Sequence, residues 1–553
     1  MKKYIILLFA LLLLLAGCRQ DVQQAPPPTE PTEAAVQTQP PTEPESTQPE
    51  PTEPPFVAQA APDTDPAAFG TQWEIYVNGE MAESYTREAP VAFEDTEYFA
   101  LPGVSAYRGS HHRTDAGYGT ADIRDGLINR LWKMHVGYLS TPEWGGCCWT
   151  GQPLVVQWDA ETRQIMNLYE EKKAKEDLVE VIYAKADGYV HFFDLEDGSA
   201  TRDALYMGAA FKGSGALDPR GYPILYAGSG LIHNGYQKIY AISLIDGSIL
   251  YSRSGDEEPC TRWWFGFDGG PLIDAETDTL FWGGESGIFY SMKLNTHYAP
   301  KTGELTMNPE EPVMTYYQDD YTEAGRNHGY ESSVTAAENY LYIGNNAGTF
   351  HCIDANTMEP VWVQDLKDDI NATAVFDWGS DKNGYLYTAP SMDYSGYRGI
   401  MPLYKLDARS GEILWQHDME CGTMTGVPGG ALASPLLGRS GSDIENIILF
   451  SIGCSPNARY GQMVAMDKES GEVLWQYETS HYMWSSPVAL YTPEGKSYIF
   501  QADSRGICYL LEGATGQLLD RIDIDSTVEA SPVAFGNRIV LGTRSRVYLF
   551  EII

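Results

Sequence analysis

One unit recurs along this chain and restricts the folds open to it. The segments FFDLEDGSA, AISLIDGSIL, CIDANTMEPVW, KLDARSGEILW, AMDKESGEVLW and LLEGATGQLL share one plan. Each is a short apolar strand, an acidic or polar residue, a tight turn that in most cases carries a glycine, and a second strand. The spacings of roughly 40 to 60 residues match one four-stranded propeller blade. Ala431 to Glu478 parses into four strands, at Ala433 to Leu437, Ile447 to Ile452, Gln462 to Asp467 and Glu472 to Tyr477. In the third strand Met463, Ala465 and Asp467 alternate with Val464 and Met466, which is a period of two and not of 3.6. Asp467 is placed to cap the turn amides, and Gly471 to take the positive φ that ends the turn. Trp362, Trp415 and Trp475 hold one place in their fourth strands, where a large aromatic is expected to dock on the neighbouring blade.

Counting units sets the architecture. First strands are expected near Pro153, Pro223, Pro271, Ser333, Thr373, Pro435, Pro487 and Pro532. The last unit, SPVAFGNRIVLGTRSRVYLFEII, has three strands. The missing fourth lies at the other end, in IRDGLINRLWKMHVG, with Asp125-Gly126 as its turn and Trp132 as its docking aromatic. The expectation is an all-β, eight-bladed β-propeller over residues 123–553, closed by this N-terminal strand so that sheet edges are paired. Seven blades is the second choice, because the units from Tyr206 to Tyr251 are irregular. Residues 70–122 precede the ring. TQWEIYVNGEMAESYTRE predicts a β-hairpin appendage turning at Asn78-Gly79. LPGVSAYRGSHHRTDAGYG leads in and carries Arg108, His111, His112 and Arg113, a small basic island in an acidic chain. A solvated loop is the first expectation for it, and contact with an anionic group or an internal acidic cleft the second.

The N-terminus addresses the chain. Lys2 and Lys3 precede an apolar run, Tyr4 to Leu14, shorter than the ~20 residues that span a bilayer. The run ends in LAGC, which resembles the lipobox of bacterial lipoproteins. That resemblance implies a signal peptide over residues 1–17 and a lipid-modified Cys18. Residues 18–69 are rich in Pro, Thr, Glu and Gln and read as a disordered spacer. About 45 extended residues reach ~140 Å at ~3.1 Å each, enough to hold a domain off a membrane surface. The expected location is extracytoplasmic, lipid-anchored to the cell membrane at the cell surface, with a Gram-positive-type envelope favoured by so long a spacer. The net charge of −39 makes nucleic acid and anionic lipid poor partners.

The turn-and-tryptophan pattern resembles the PQQ-type repeat, roughly A-x-D-x-x-T-G-x-x-x-W. It is nearest in AMDKESGEVLW and KLDARSGEILW and looser in the N-terminal half, and the resemblance extends over about Leu127 to Ile553. This family contains cofactor-free scaffold propellers as well as quinoprotein dehydrogenases, so it implies the fold and leaves the activity open.

Ligands favour concave mouths, and in such rings the loops before the first strands surround one mouth. Those loops supply Trp149, Arg262, Trp263, Trp264, Asp268, His328, Glu331 and Trp484 as candidate ligand residues. Aromatic walls with a few charges suit a flat or sugar-like ligand. CCWTGQP adds the adjacent Cys147 and Cys148. They are read either as two ordinary thiols or as a strained vicinal disulfide, since Cα atoms ~3.8 Å apart lie below the usual ~4.4 Å minimum for a disulfide. Eight cysteines less Cys18 leave an odd number, so at least one is free or paired outside the chain. Quinoprotein methanol dehydrogenases resemble this chain in ring size and in a vicinal disulfide over the cofactor. That resemblance implies the enzyme alternative: PQQ in the mouth, calcium held by residues of the type of Asp268, Glu331 and Asn371, and Asp268 as base. No CxxCH haem site, HExxH motif, GxSxG elbow or phosphate loop is present. The preferred reading is a non-catalytic binding or scaffold protein with no cofactor, taking a protein partner or small-molecule ligand at the propeller mouth. The alternatives are a PQQ/calcium-dependent dehydrogenase and an outer-membrane assembly scaffold.

Overall fold

The structure, a computed structural model, describes residues 55–94, 97–114, 116–138, 145–147, 149, 151–231, 237–260 and 262–553. The expected signal peptide, Cys18, most of the spacer and Cys148 lie outside the described residues.

Eight antiparallel sheets follow one another along the chain and make eight blades. Blade 1 is Leu154–Val156, Glu180–Ala184, Tyr189–Asp194 and Leu205–Tyr206. Blades 2 to 7 begin with Ala216–Leu217, Leu272–Asp274, Thr335–Ala337, Val375–Asp377, Leu436–Leu437 and Val488–Tyr491. Blade 8 has three strands from the C-terminal end, Val533–Phe535, Arg538–Gly542 and Arg546–Ile552. Its fourth is Ile128–His135, with Trp132 opposite Leu549 and Met134 opposite Val547. The ring therefore has eight blades, not seven, and closes as the missing-strand argument required.

Two expectations are corrected. The first strand of blade 2 is Ala216–Leu217, and Pro223 instead precedes the second strand, Ile224–Leu231. That first strand is only two residues long, so its apolar signal is weak. The spacer also ends earlier than residue 69. Phe56 meets the edges of Tyr340, Phe376 and Trp378 at centroid distances of 5.8, 6.4 and 5.2 Å, and Pro66–Phe69 forms a 3-10 turn. One aromatic in a Pro/Thr/Glu tract thus anchors it on the ring. The hairpin forms as Gln72–Val77 and Glu80–Ala82, with Asn78 and Gly79 at φ 54° and 77°. It extends the sheet of blade 3 by pairing with Val313–Gln318.

The tryptophans explain the blade spacing. Trp362, Trp415 and Trp475 donate through Nε1 to Ala408 O, Lys468 O and Gly513 O of the next blade, at 3.1, 3.2 and 3.0 Å. Trp132 does the same to Leu195 O of blade 1 at 3.3 Å. Each ring lies on a turn glycine at positive φ: Gly411, Gly471, Gly516 and Gly198. A Cβ on Gly471 would stand 2.9 Å from Trp415 Cδ2. Glycine is thus required there twice, for the left-handed backbone and for the space under the indole.

The lead-in does not lie over one face as a solvated loop. It enters the axis of the ring, and Arg108, His111 and Arg113 are buried. Gly103–Val104 pairs with Val155–Val156 of blade 1. Ser105 O accepts from Leu217 N of blade 2 at 2.7 Å. Arg113 donates to Pro271 O of blade 3 and, at 2.7 Å, to Val334 O of blade 4. His111 O and His112 O accept from Ala336 N and Phe376 N of blades 4 and 5 at 2.9 and 3.0 Å. Arg108 donates to Pro435 O and Pro487 O of blades 6 and 7, where Tyr107 Oη also meets Ser434 and Ser486. Ala116 O accepts from Ala534 N of blade 8 at 2.9 Å. First-strand carbonyls converge on the axis of a propeller and need donors. Two guanidinium forks, each with five N–H groups and no acceptor, supply them.

Candidate functional site

With the axis filled by residues 103–114 and 116, the mouth is a pit floored by the protein itself. The loops before the first strands and the turns between second and third strands form its wall. Asp268 enters from the loop before blade 3, Glu331 from the loop before blade 4, and Lys212 from the segment before blade 2. Glu285 enters from the tight turn GGESG inside blade 3, where Gly287 takes φ 84°.

Carboxylate oxygens of Asp268, Glu285 and Glu331 lie within 4.8 Å of one another. Asp268 and Glu285 are buried. Lys212 Nζ pairs with Asp268 Oδ2. Burial raises the Asp268 carboxyl, Lys212 opposes this, Glu331 adds to it, and the group titrates at about 6. Burial and then Asp268 push Glu285 well above the usual carboxylate range. Burial alone would depress the Lys212 ammonium, but Asp268, Glu285 and Glu331 outweigh it and hold the amine charged. On the far side of Glu331, Asn346 donates to Glu331 Oε1 at 3.3 Å and to Asp369 Oδ1 at 2.9 Å. Asn371 turns its amide to Asp369 Oδ2 and Ser391 Oγ, at 2.7 and 3.0 Å.

The eight residues singled out from the sequence divide. Trp149, Asp268, Glu331 and Trp484 line the pit. The Lys212 ammonium stands 4.1 Å from the Trp149 ring centroid, over its face, and Trp484 meets Trp149 edge-to-face at 5.9 Å. Trp484 Nε1 donates to Pro428 O at 3.4 Å. Arg262, Trp263 and His328 line a cavity beside the pit, between blades 3 and 4. Trp264 turns the other way and packs on Ala186 and Ala210. Cys147 is a buried thiol among Val155, Tyr183 and Val547. Burial raises it to about 12. Its pairing with Cys148 lies outside the described residues.

Lys212, Glu285 and Asn346 were missed. Lys212 sits just before the displaced first strand of blade 2. Glu285 and Asn346 belong to the turns GGESG and GNNAG, which also reach the mouth. A polar residue two places before the glycine of such a turn was the signal available.

The family model for outer membrane protein assembly factor BamB, which describes the PQQ-type repeat, matches residues 271–480. No curated protein sequence matches the chain. Among solved structures, quinohemoprotein alcohol dehydrogenase ADHIIG from Pseudomonas putida HK5 superposes with TM-score 0.57 and 13% identity, over 84% of this chain and 82% of that one. A europium-containing methanol dehydrogenase gives 0.56 and 12%, over 81% and 98%. BamB from Moraxella catarrhalis gives 0.46 and 15%, over 77% and 97%. At such identities the two dehydrogenase superpositions speak for the fold alone. The chain is an eight-bladed β-propeller, and its residues 271–480 match the PQQ-type repeat.

Proposed function

We propose that the chain is a non-catalytic, extracytoplasmic binding scaffold, tethered through a lipidated Cys18, that engages a protein partner with the rim of its mouth. The observation that carries this reading is the place of Lys212, paired with Asp268 and lying over the Trp149 ring. A flat cofactor with several carboxylates, as PQQ is, would find that indole face taken and would enter among Asp268, Glu285 and Glu331, acids of its own sign. The residues of the pit do not fit it, and no reaction step is derived through it. The three carboxylates are of a type that holds calcium, but the Lys212 ammonium already supplies positive charge there.

The rim offers contact groups instead. Tyr397 is 85% exposed, with Ile400 near it in sequence on the long hairpin of blade 5 and Met424 across the hairpin, in the loop that follows. An exposed aromatic with aliphatic neighbours on a rigid hairpin is the kind of group that anchors a protein interface. The match to an assembly-factor family over residues 271–480, which includes this hairpin, supports a protein partner over a turnover substrate.

The test has two arms. Calorimetric titration with PQQ and Ca²⁺, with a dye-linked alcohol assay, is expected to give neither heat nor turnover. Tight cofactor binding with turnover would reject the reading. Crosslinked pull-down from native envelope is expected to enrich a defined protein, and Tyr397→Ala with Met424→Ala is expected to abolish the enrichment. An unchanged yield from that variant would reject the rim as the contact.

A further inference from the structure

The cavity between blades 3 and 4, of about 370 Å³, adjoins the acidic pit at Arg262 and the turn ahead of the Tyr397 hairpin at Tyr394, and shares no lining carboxylate with the pit. Two arginines line it, and each is pinned through one nitrogen. Arg262 Nη1 donates to Glu285 O and Asn346 Oδ1 at 2.9 and 3.3 Å. Arg326 Nη1 donates to Ala347 O and Lys367 O at 2.7 and 2.9 Å. The Arg326 guanidinium also lies 4.1 Å over Tyr321 and 4.4 Å over Tyr394. Among the described residues neither guanidinium forms an ion pair, although Glu323 also lines the cavity and the chain carries 76 acidic residues against 37 basic ones. Two oriented guanidiniums without carboxylate partners are a ready anion site.

His328 closes the inner end. It is 7% exposed, and neither ring nitrogen has a hydrogen-bond partner among the described residues. Tyr316 and Tyr330 flank the ring at 5.9 and 5.7 Å. Asp319, the nearest acid in charge terms, is committed to Tyr321 N, Thr322 N and Thr349 Oγ1. Burial keeps the imidazole neutral, so it presents one donor and one acceptor. A buried polar group left unmatched costs about 1–3 kcal/mol unless a ligand or water satisfies it. At the outer end Trp263 is 72% exposed, held edge-on against Trp264 at 5.5 Å. Gln318 and Asn327 complete a polar wall.

We propose that this cavity binds an acidic saccharide, a sugar ring that carries a carboxylate or a phosphate. The anionic group faces Arg262 and Arg326, ring hydroxyls meet His328, Gln318 and Asn327, and the apolar face of the sugar lies on Trp263. The volume falls at the small end of the ~300–1,000 Å³ range of ligand sites, suited to one or two sugar units.

The test is titration of the intact chain, followed by tryptophan fluorescence and calorimetry, with four probes: digalacturonic acid, glucose 6-phosphate, maltose and inorganic phosphate. Binding of digalacturonic acid or glucose 6-phosphate at least about tenfold tighter than maltose or inorganic phosphate is expected, a difference of ~1.4 kcal/mol. Whichever of the two binds better identifies the anionic group. Arg326→Gln and Trp263→Ala are each expected to weaken that binding about tenfold or more. Trp263→Ala is expected to leave thermal unfolding unchanged, and Tyr397→Ala with Met424→Ala is expected to leave saccharide binding unchanged, which separates this site from the scaffold reading. No binding of any probe, equal binding of maltose, equal binding of inorganic phosphate, or variants that bind as the parent does would each overturn the proposal.

Discussion

Arg113 shows how little a residue's type says about its surroundings. In the sequence it is a cation between turn residues, and such cations are ordinarily solvated. In the fold it is fully buried and donates to Tyr107 O, Val334 O and Pro271 O. Burial lowers its guanidinium to about 10, still charged at neutral pH. The sequence could not reveal this, because the convergent carbonyls come from strands more than 150 residues away. Arg113→Ala strands those acceptors, and a loss of about 3–5 kcal/mol is expected in guanidinium unfolding, the size seen when a buried charged hydrogen-bond network is cut. His351 carries a pH prediction. Its ring is buried, burial and His328 depress it to about 3, and Asp319 only partly opposes this. The unfolded chain takes up a proton below its ordinary pKa of ~6.5 while the folded chain does not. Stability from this group is therefore complete above that value and falls as pH drops, by up to ~1.4 kcal/mol per pH unit between ~6 and ~4. Unfolding of His351→Gln measured at pH 6, 5 and 4 is expected to show a slope shallower by about that amount.

The blade is the element most legible in sequence, because its signals are local. The turn acid, the glycine and the tryptophan lie within a dozen residues of one another. Asp467 accepts from Ser470 N at 2.8 Å and Gly471 has φ 74°, as the motif required. Only the partner of each tryptophan is non-local, and repetition supplies it, since blades 1, 5, 6 and 7 each offer the preceding blade the same turn glycine. Where repetition falters, so did the reading. Pro223 resembles the prolines that begin five other first strands, yet it lies ahead of a second strand. Gly471→Ala adds a Cβ in left-handed backbone under the Trp415 ring and is expected to cost about 2 kcal/mol or more. Trp415→Ala is expected to cost about 3–5 kcal/mol. In denaturant titrations the double variant is expected to fall short of the sum, because both changes break one contact.

For the whole molecule, one terminal segment does two tasks. Residues 103–114 and 116 tie the blades at the axis, and Ile128–His135 closes the ring. Closure was legible, because a final unit one strand short demands a donor. The axial role was not, because nothing local in LPGVSAYRGSHHRTDAGYG points inward. The mouth was legible in half of its chemistry: Asp268 and Glu331 from the loops before first strands, but not Glu285 and Lys212, which set the charge of the pit. Removal of residues 1–54 is expected to leave thermal unfolding unchanged, since Phe56–Ile553 is a compact unit by itself. Removal through His135 takes away axis and closing strand together, and loss of cooperative unfolding is expected in calorimetry. The central claim is that the segment ahead of the ring is its hub. Hydrogen exchange of the peptide spanning residues 103–116 tests it most directly. The account predicts protection equal to that of the Ile447–Gly453 strand, released only in global unfolding. Exchange within seconds, while the strands of the blades stay protected, would contradict it.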